Sequence, residues 1–169
     1  MKYVFDTNIF IDAHRQFYAM DIAPLYWSVL ENYINNQNFV LIDKVYDEIA
    51  KLNDGLSIWI KQHKNIKKYS TNTSKSVLSE YANVMNAIRN NSQYNDDAVK
   101  LWDNKKVADP WIIAVALVEK SIIVTHESRV YGGSNQPYKR LKIPDVAAQF
   151  NIRCMNLFDF MRKEKIIIK

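Results

Sequence analysis

Lys2-Tyr3-Val4-Phe5-Asp6-Thr7-Asn8-Ile9-Phe10-Ile11 opens the chain and decides how the rest is read. A β-prone apolar run stops at Asp6, and Asp6-Thr7-Asn8 places three good helix N-caps in a row. The stretch predicts a short strand that turns at once into a helix, and the alternation continues along the chain. Residues 21–35 predict a helix with Pro24 in its first turn, residues 39–42 a buried strand, and Asp43 the cap of a helix reaching residue 52. Further helices are expected over 56–64, 74–90 and 98–102. Asp109-Pro110 begins the most apolar helix, ending at Glu119, with Asp109 as its expected cap. Apolar on every side, that helix belongs in the middle of the structure. Strands over 122–125 and 152–155, a long loop over 127–144, and helices from Asp145 and Leu157 complete the reading. Strands that are continuous apolar runs, alternating with helices, predict a parallel sheet covered on both faces. The expected class is therefore α/β and Rossmann-like, with four or five parallel strands flanked by helices. Such sheets bind ligands beyond the carboxyl ends of their strands, where the strand order reverses.

Composition narrows the function. The 169 residues suit one domain. At 48% apolar and 24% charged, with 3 Gly and 4 Pro, the chain is neither disordered nor collagen-like. Its single cysteine, Cys154, excludes an intramolecular disulfide and a cysteine-based zinc site. The longest apolar run, residues 111–118, is too short to span a bilayer, and no apolar stretch before Asp6 could serve as a secretory signal. A soluble, cytoplasmic protein is expected. The net charge of +5 resides entirely in residues 139–169, where eight basic residues face three acidic ones. Lys61, Lys64, Lys67 and Lys68 form a second basic cluster. Either cluster taken alone is a solvated face. They become a phosphate-binding surface only if an acidic, metal-binding site lies between them.

The acids stand where this fold class places its ligand. Asp6 follows the first strand, and Asp109 heads the central helix. Thr125-His126-Glu127 follows the third strand. The second strand leads into a helix carrying Asp47 and Glu48. At about 100° per residue, Val45, Ile49 and Leu52 form its buried stripe. Asp47 then faces solvent, whereas Glu48 falls roughly 60–70° from the middle of the stripe, at the edge of the buried face. Glu48 is therefore the residue able to turn toward Asp6. Taken singly, each acid is a cap or a surface residue. Gathered, four carboxylates repel, and a hard divalent cation resolves the conflict. Oxygen-only ligands select Mg²⁺ or Mn²⁺ over zinc, and His14, His63 and His126 have no zinc-like spacing. The chemistry such a cluster supports is attack of a metal-activated water on a phosphodiester. Trp59, Trp102 and Trp111 are expected in the core.

These segments resemble the PIN-domain family, the fold of the VapC-type toxin ribonucleases. Residues 3–11 resemble its strand–Asp–(Thr/Ser)–Asn–apolar opening, and Val45-Tyr46-Asp47-Glu48-Ile49 the segment of its second acid. Ala108-Asp109-Pro110-Trp111-Ile112-Ile113-Ala114 resembles the segment of its third, and Val124-Thr125-His126-Glu127 its Thr-x-Asp segment. The resemblance implies one PIN-like nuclease domain over 1–169, with a helical insertion around 54–106 that would be a substrate lid, an antitoxin groove or an oligomer surface. It implies a Mg²⁺- or Mn²⁺-dependent endoribonuclease with Asp6, Glu48, Asp109 and Glu127 as its metal-site and catalytic residues. Thr7, Asn8 and Thr125 would shape the site. It also implies a protein antitoxin and a homodimer as partners. Glu127 stands where the family usually has Asp.

Lys139, Arg140 and Lys142 on the long loop, with Lys64 and Lys67, are expected to grip the backbone of single-stranded or looped RNA. The alternatives are a catalytically silent RNA- or protein-binding module and a DNA-directed nuclease. A receiver domain ranks lower, because Thr125-His126-Glu127 lacks the lysine such a domain needs. A haloacid dehalogenase-type phosphatase ranks lower because it needs Asp-x-Asp where this chain has Asp6-Thr7-Asn8.

Overall fold

The computed structural model describes residues 1–35, 38–63, 66–130 and 139–169. Five parallel strands form one sheet: β1 (Tyr3–Phe5), β2 (Phe39–Ile42), β3 (Lys68–Tyr69), β4 (Ile122–Val124) and β5 (Cys154–Met155), in the order β3-β2-β1-β4-β5. Tyr3 pairs with Phe39 on one side and with Ile122 on the other, which puts β1 in the centre. The class is α/β and Rossmann-like, and the strand order reverses between β1 and β4.

The helices are α1 (Thr7–Asp12), α2 (Pro24–Ile34), α3 (Asp43–Ala50), α4 (Gly55–Gln62), α5 (Lys75–Arg89), α6 (Asp96–Trp102), α7 (Asp109–Glu119), α8 (Ile143–Gln149) and α9 (Leu157–Lys163). A π-helical turn, Ala13–Phe17, continues α1. Its wide register is closed by the Tyr18 N–H donating to the Ala13 carbonyl at 2.6 Å.

Burial follows the apolar pattern. Tyr3, Val4 and Phe5 are fully buried, and Phe160 of α9 sits edge-on to both Tyr3 and Phe5. Pro110 to Ala116 of α7 are buried in an unbroken run, as an all-round apolar helix requires. The three tryptophans expected in the core are there. Helix α5 lies along α7, burying Val77, Val84, Met85 and Ile88, with Tyr81 stacked on Trp111. This part of the 54–106 stretch is thus a layer of the core.

Three expectations are corrected. Asp43 does not cap α3. Ile42 occupies the cap position, and the Asp43 carboxylate accepts from the Thr71 N–H and hydroxyl at 3.2 and 2.8 Å, which ties down the segment after β3. Asp109 is the first residue of α7, with Ala108 at the cap and no capping bond from a side chain. Helix α8 begins at Ile143 rather than Asp145, with Pro144 in its first turn. No helix among the described residues is long and apolar enough to cross a membrane.

Candidate metal centre

The carboxyl ends of β1 and β4 lie side by side, and the ladder runs one residue beyond each. The Asp6 N–H donates to the Val124 carbonyl at 3.0 Å, and the Thr125 N–H to the Met155 carbonyl at 2.9 Å. Asp6 and Thr125 therefore meet at the reversal point, both almost fully buried. Thr125 is the hub of the site. Its hydroxyl donates to Asp6 Oδ2 at 2.7 Å and accepts from Asn8 Nδ2 at 3.2 Å and from the Glu127 N–H at 3.1 Å. One donation and two acceptances fill the bonding capacity of a hydroxyl. Asp6 holds the cap position of α1, but its side chain makes no capping bond.

Helix α1 fastens the β4 exit. Asn8 Oδ1 accepts the His126 N–H at 3.0 Å, and Asp12, one turn later on the same face, meets His126 Nδ1 at 2.8 Å. His126 Nε2 has no hydrogen-bond partner among the described residues. Replacing Asn8 with Ala leaves the His126 N–H unpaired and Thr125 without one of its donors. The expected cost is about 1–3 kcal/mol of stability, read as a lower melting temperature.

Glu48 is part-buried and Asp47 exposed, as the helical geometry predicts. Glu48 is held from two directions, by the Thr7 hydroxyl at 2.5 Å and by the Ala108 N–H at 3.0 Å. This links α1, α3 and the start of α7. Glu127 is held by Lys142 Nζ at 2.6 Å and by the Ile143 N–H at 2.8 Å, at the first residue of α8.

The electrostatics join all four acids. Burial pushes the Asp6 carboxyl up to about 7, and the charges of Glu127 and Glu48 push the same way, against the hydrogen bond from Thr125. Burial also holds Asp109 well above its ordinary 3.8, reinforced by Asp6, Glu127 and Glu48, with Lys142 opposing. Lys142, which opposes the shift of Asp109, is itself paired to Glu127. Among the described residues no three Asp, Glu, His or Cys side chains already stand around one metal position. Glu48 and Glu127 are each drawn to donors of their own. The donor set nevertheless fits a hard cation. It is all oxygen, and its central member is forced to keep its proton when no cation is near.

Of the residues expected to hold phosphates, Lys139 and Arg140 are exposed, Lys142 is engaged by Glu127, and Lys64 lies outside the described residues. Lys67 is exposed and lines a cavity with Lys2, Phe39 and Glu119, toward the amino ends of the strands. It precedes β3, the edge strand, which runs parallel to β2 with Lys68 opposite Leu41.

Sequence reasoning passed over Asp12 as a site residue, although its four-residue spacing from Asn8 was a usable signal. It also passed over Arg129 and Arg153. Arg129 follows β4 and Arg153 precedes β5, and both line a cavity of about 470 Å³ that runs from the end of β4 along β5, together with Thr125, His126, Glu127 and Asn156.

Fold and site together define an α/β protein with an acidic centre at the reversal point of a parallel sheet. Residues 3–168 match the model of a family described as a domain of unknown function (DUF4411), and the chain belongs to that family. A search of curated proteins found no match.

Proposed function

We propose that this chain is a metal-dependent endoribonuclease, cutting RNA phosphodiester bonds in the cytoplasm as the toxin of a toxin–antitoxin pair. One observation carries the reading. Asp6 and Asp109, from distant parts of the chain, each feel the charges of Glu48 and Glu127 near the sheet's reversal point, and burial, with those charges behind it, pushes the Asp6 carboxyl up to about 7. Asp6 and Asp109 would hold Mg²⁺ or Mn²⁺. A bound ion of this kind lowers the pKa of water and stabilises a leaving oxygen. Glu48, fixed by Thr7 and the Ala108 N–H, would orient the attacking water and take its proton. Glu127 completes the anionic wall, with Lys142 offsetting part of its charge. Lys139 and Arg140, exposed just beyond, supply positive charge for the backbone. A protein antitoxin and a homodimer belong to the same proposal and rest on the PIN-like resemblance.

The test is cleavage of defined single-stranded RNA and DNA with Mn²⁺, with and without EDTA. RNA should be cut and DNA spared, and EDTA should abolish the cut. The engagement of Glu127 by Lys142 favours one rival, a catalytically silent binding module. That rival predicts strand binding that weakens with salt and no turnover under any condition. Cleavage of DNA would instead mark a DNA-directed enzyme.

A further inference from the structure

The cavity along β5 is not needed to hold a metal ion, yet it shares Thr125, His126 and Glu127 with the site of the acids. Its volume of about 470 Å³ falls within the range of small-ligand pockets. Arg129, whose Nε also donates to the Pro144 carbonyl at 3.4 Å, and Arg153 line it along with the carboxylates of Glu127 and Asp159, and Asn156 adds an amide.

An aromatic pair stands next to it. Phe17 is 46% exposed and Phe158 37% exposed, large apolar rings left open to solvent. Their rings meet edge to face with centroids 5.5 Å apart, and Phe17 meets His126 in the same way at 5.6 Å. His126 both lines the cavity and touches the pair. Phe158 lies between Asn156 and Asp159, which also line the cavity. Phe17 is carried there by the π-helical turn at the end of α1, a distortion that recurs at functional sites. Both rings keep part of their surface open to solvent, against which a third planar group can pack.

We infer that the cavity and the Phe17–Phe158 pair together seat one unpaired nucleotide of a nucleic-acid strand, its base stacked on the aromatic pair and its phosphate facing Arg129 and Arg153. The inference deepens the nuclease reading and rests on it for the class of ligand. Exposed aromatics beside basic side chains are the pattern by which single strands are held without sequence readout. A duplex keeps its bases stacked inside and has none to offer.

The experiment uses the full chain carrying Asp6→Asn, so that binding is read without cutting. Labelled RNA and DNA strands of equal length are titrated by fluorescence anisotropy, and a strand containing 2-aminopurine reports stacking. Phe17→Ala and Phe158→Ala should each weaken strand binding by about tenfold and remove the 2-aminopurine quench. Phe158→Trp should restore both. Arg129→Ala and Arg153→Ala should each flatten the salt dependence, lowering its slope by about 0.7 for every phosphate that is no longer neutralised. Both rings are exposed, so unchanged melting temperatures are expected. Unaltered affinity and quench in the Phe variants, or a duplex bound as tightly as the strand, overturns the seat. So does the absence of binding by any strand. Cleavage by the unmodified chain separates the two ideas. Turnover with Phe-independent binding removes the seat and leaves the nuclease, whereas Phe-dependent binding without turnover keeps the seat and removes the nuclease.

Discussion

Asp6→Asn should abolish Mn²⁺-dependent cleavage while RNA binding persists. The substitution keeps the size of the side chain and an oxygen to accept the Thr125 hydroxyl, so the exit of β1 keeps its shape. It removes the negative charge that a hard cation needs from the centre's most buried acid. Loss of a group that merely supports a metal ligand costs about 10–100-fold. Loss of a central ligand should exceed that, on the order of 10³-fold or more in turnover. Strand affinity should stay within a few-fold, because phosphate contacts from basic side chains dominate it. The assay compares single-turnover cleavage and anisotropy for the two proteins, purified identically. Metal-dependent cleavage at the unmodified rate would dismiss Asp6 as a ligand, and with it the centre described above. Asn8→Ala provides the calibration. It touches Thr125 and His126, and should cost no more than about 10–100-fold.

The contrast between Asp6 and Lys67 indicates which parts of this site could be read from the sequence. Asp6 was readable because a strand–cap–helix junction fixes both its place and its direction. Glu48 was separable from Asp47 because 100° steps around a helix anchored by buried Val45 and Ile49 leave little freedom, although Leu52, expected on the same stripe, lies beyond the helix end at Ala50. The place of Lys67 was not readable, because a cluster of like charges has no direction. What decides its position is the parallel register of β3, a two-residue strand of Lys68 and Tyr69 with no apolar run to announce it. Asp43 looked like a cap and instead anchors Thr71 across 28 residues. The Glu127–Lys142 pair was equally hidden, because a loop of unknown path separates the partners. Local rules place residues that regular elements carry. Partnerships made across loops depend on the tertiary structure.

Without metal, the protein should lose stability as pH rises from about 4 to about 7, the reverse of what carboxylates usually do. In the unfolded chain Asp6 ionises near its ordinary 3.8, whereas in the folded chain it keeps its proton to about 7. Between those values the folded state binds more protons, so each step up in pH favours unfolding. Asp109 acts in the same direction. Asp54, Glu119 and Glu164 act oppositely. Their partners hold them below the ordinary range, so their stabilisation is present above their unfolded values and lost only as pH falls toward strong acid. At about 1.4 kcal/mol per tenfold, the interval on Asp6 corresponds to on the order of 4 kcal/mol. For a chain this long that is a melting-temperature difference on the order of 10 °C. In EDTA the melting temperature should therefore be highest near pH 4–5 and fall toward pH 8, and Asp6→Asn should remove much of that fall. Mn²⁺ should act oppositely, because a bound dication favours the ionised carboxylates. Its stabilisation, about 2.7 kcal/mol at 100 times the dissociation constant, should grow from pH 5 to pH 8 and vanish in Asp6→Asn. Thermal melts at pH 5, 6, 7 and 8, with EDTA and with Mn²⁺, measure all of this. A metal-free melting temperature that stays level or rises across this range, unchanged by Asp6→Asn, would mean that Asp6 is not a buried carboxyl held protonated beside other acids, and would remove the physical reason for a cation there.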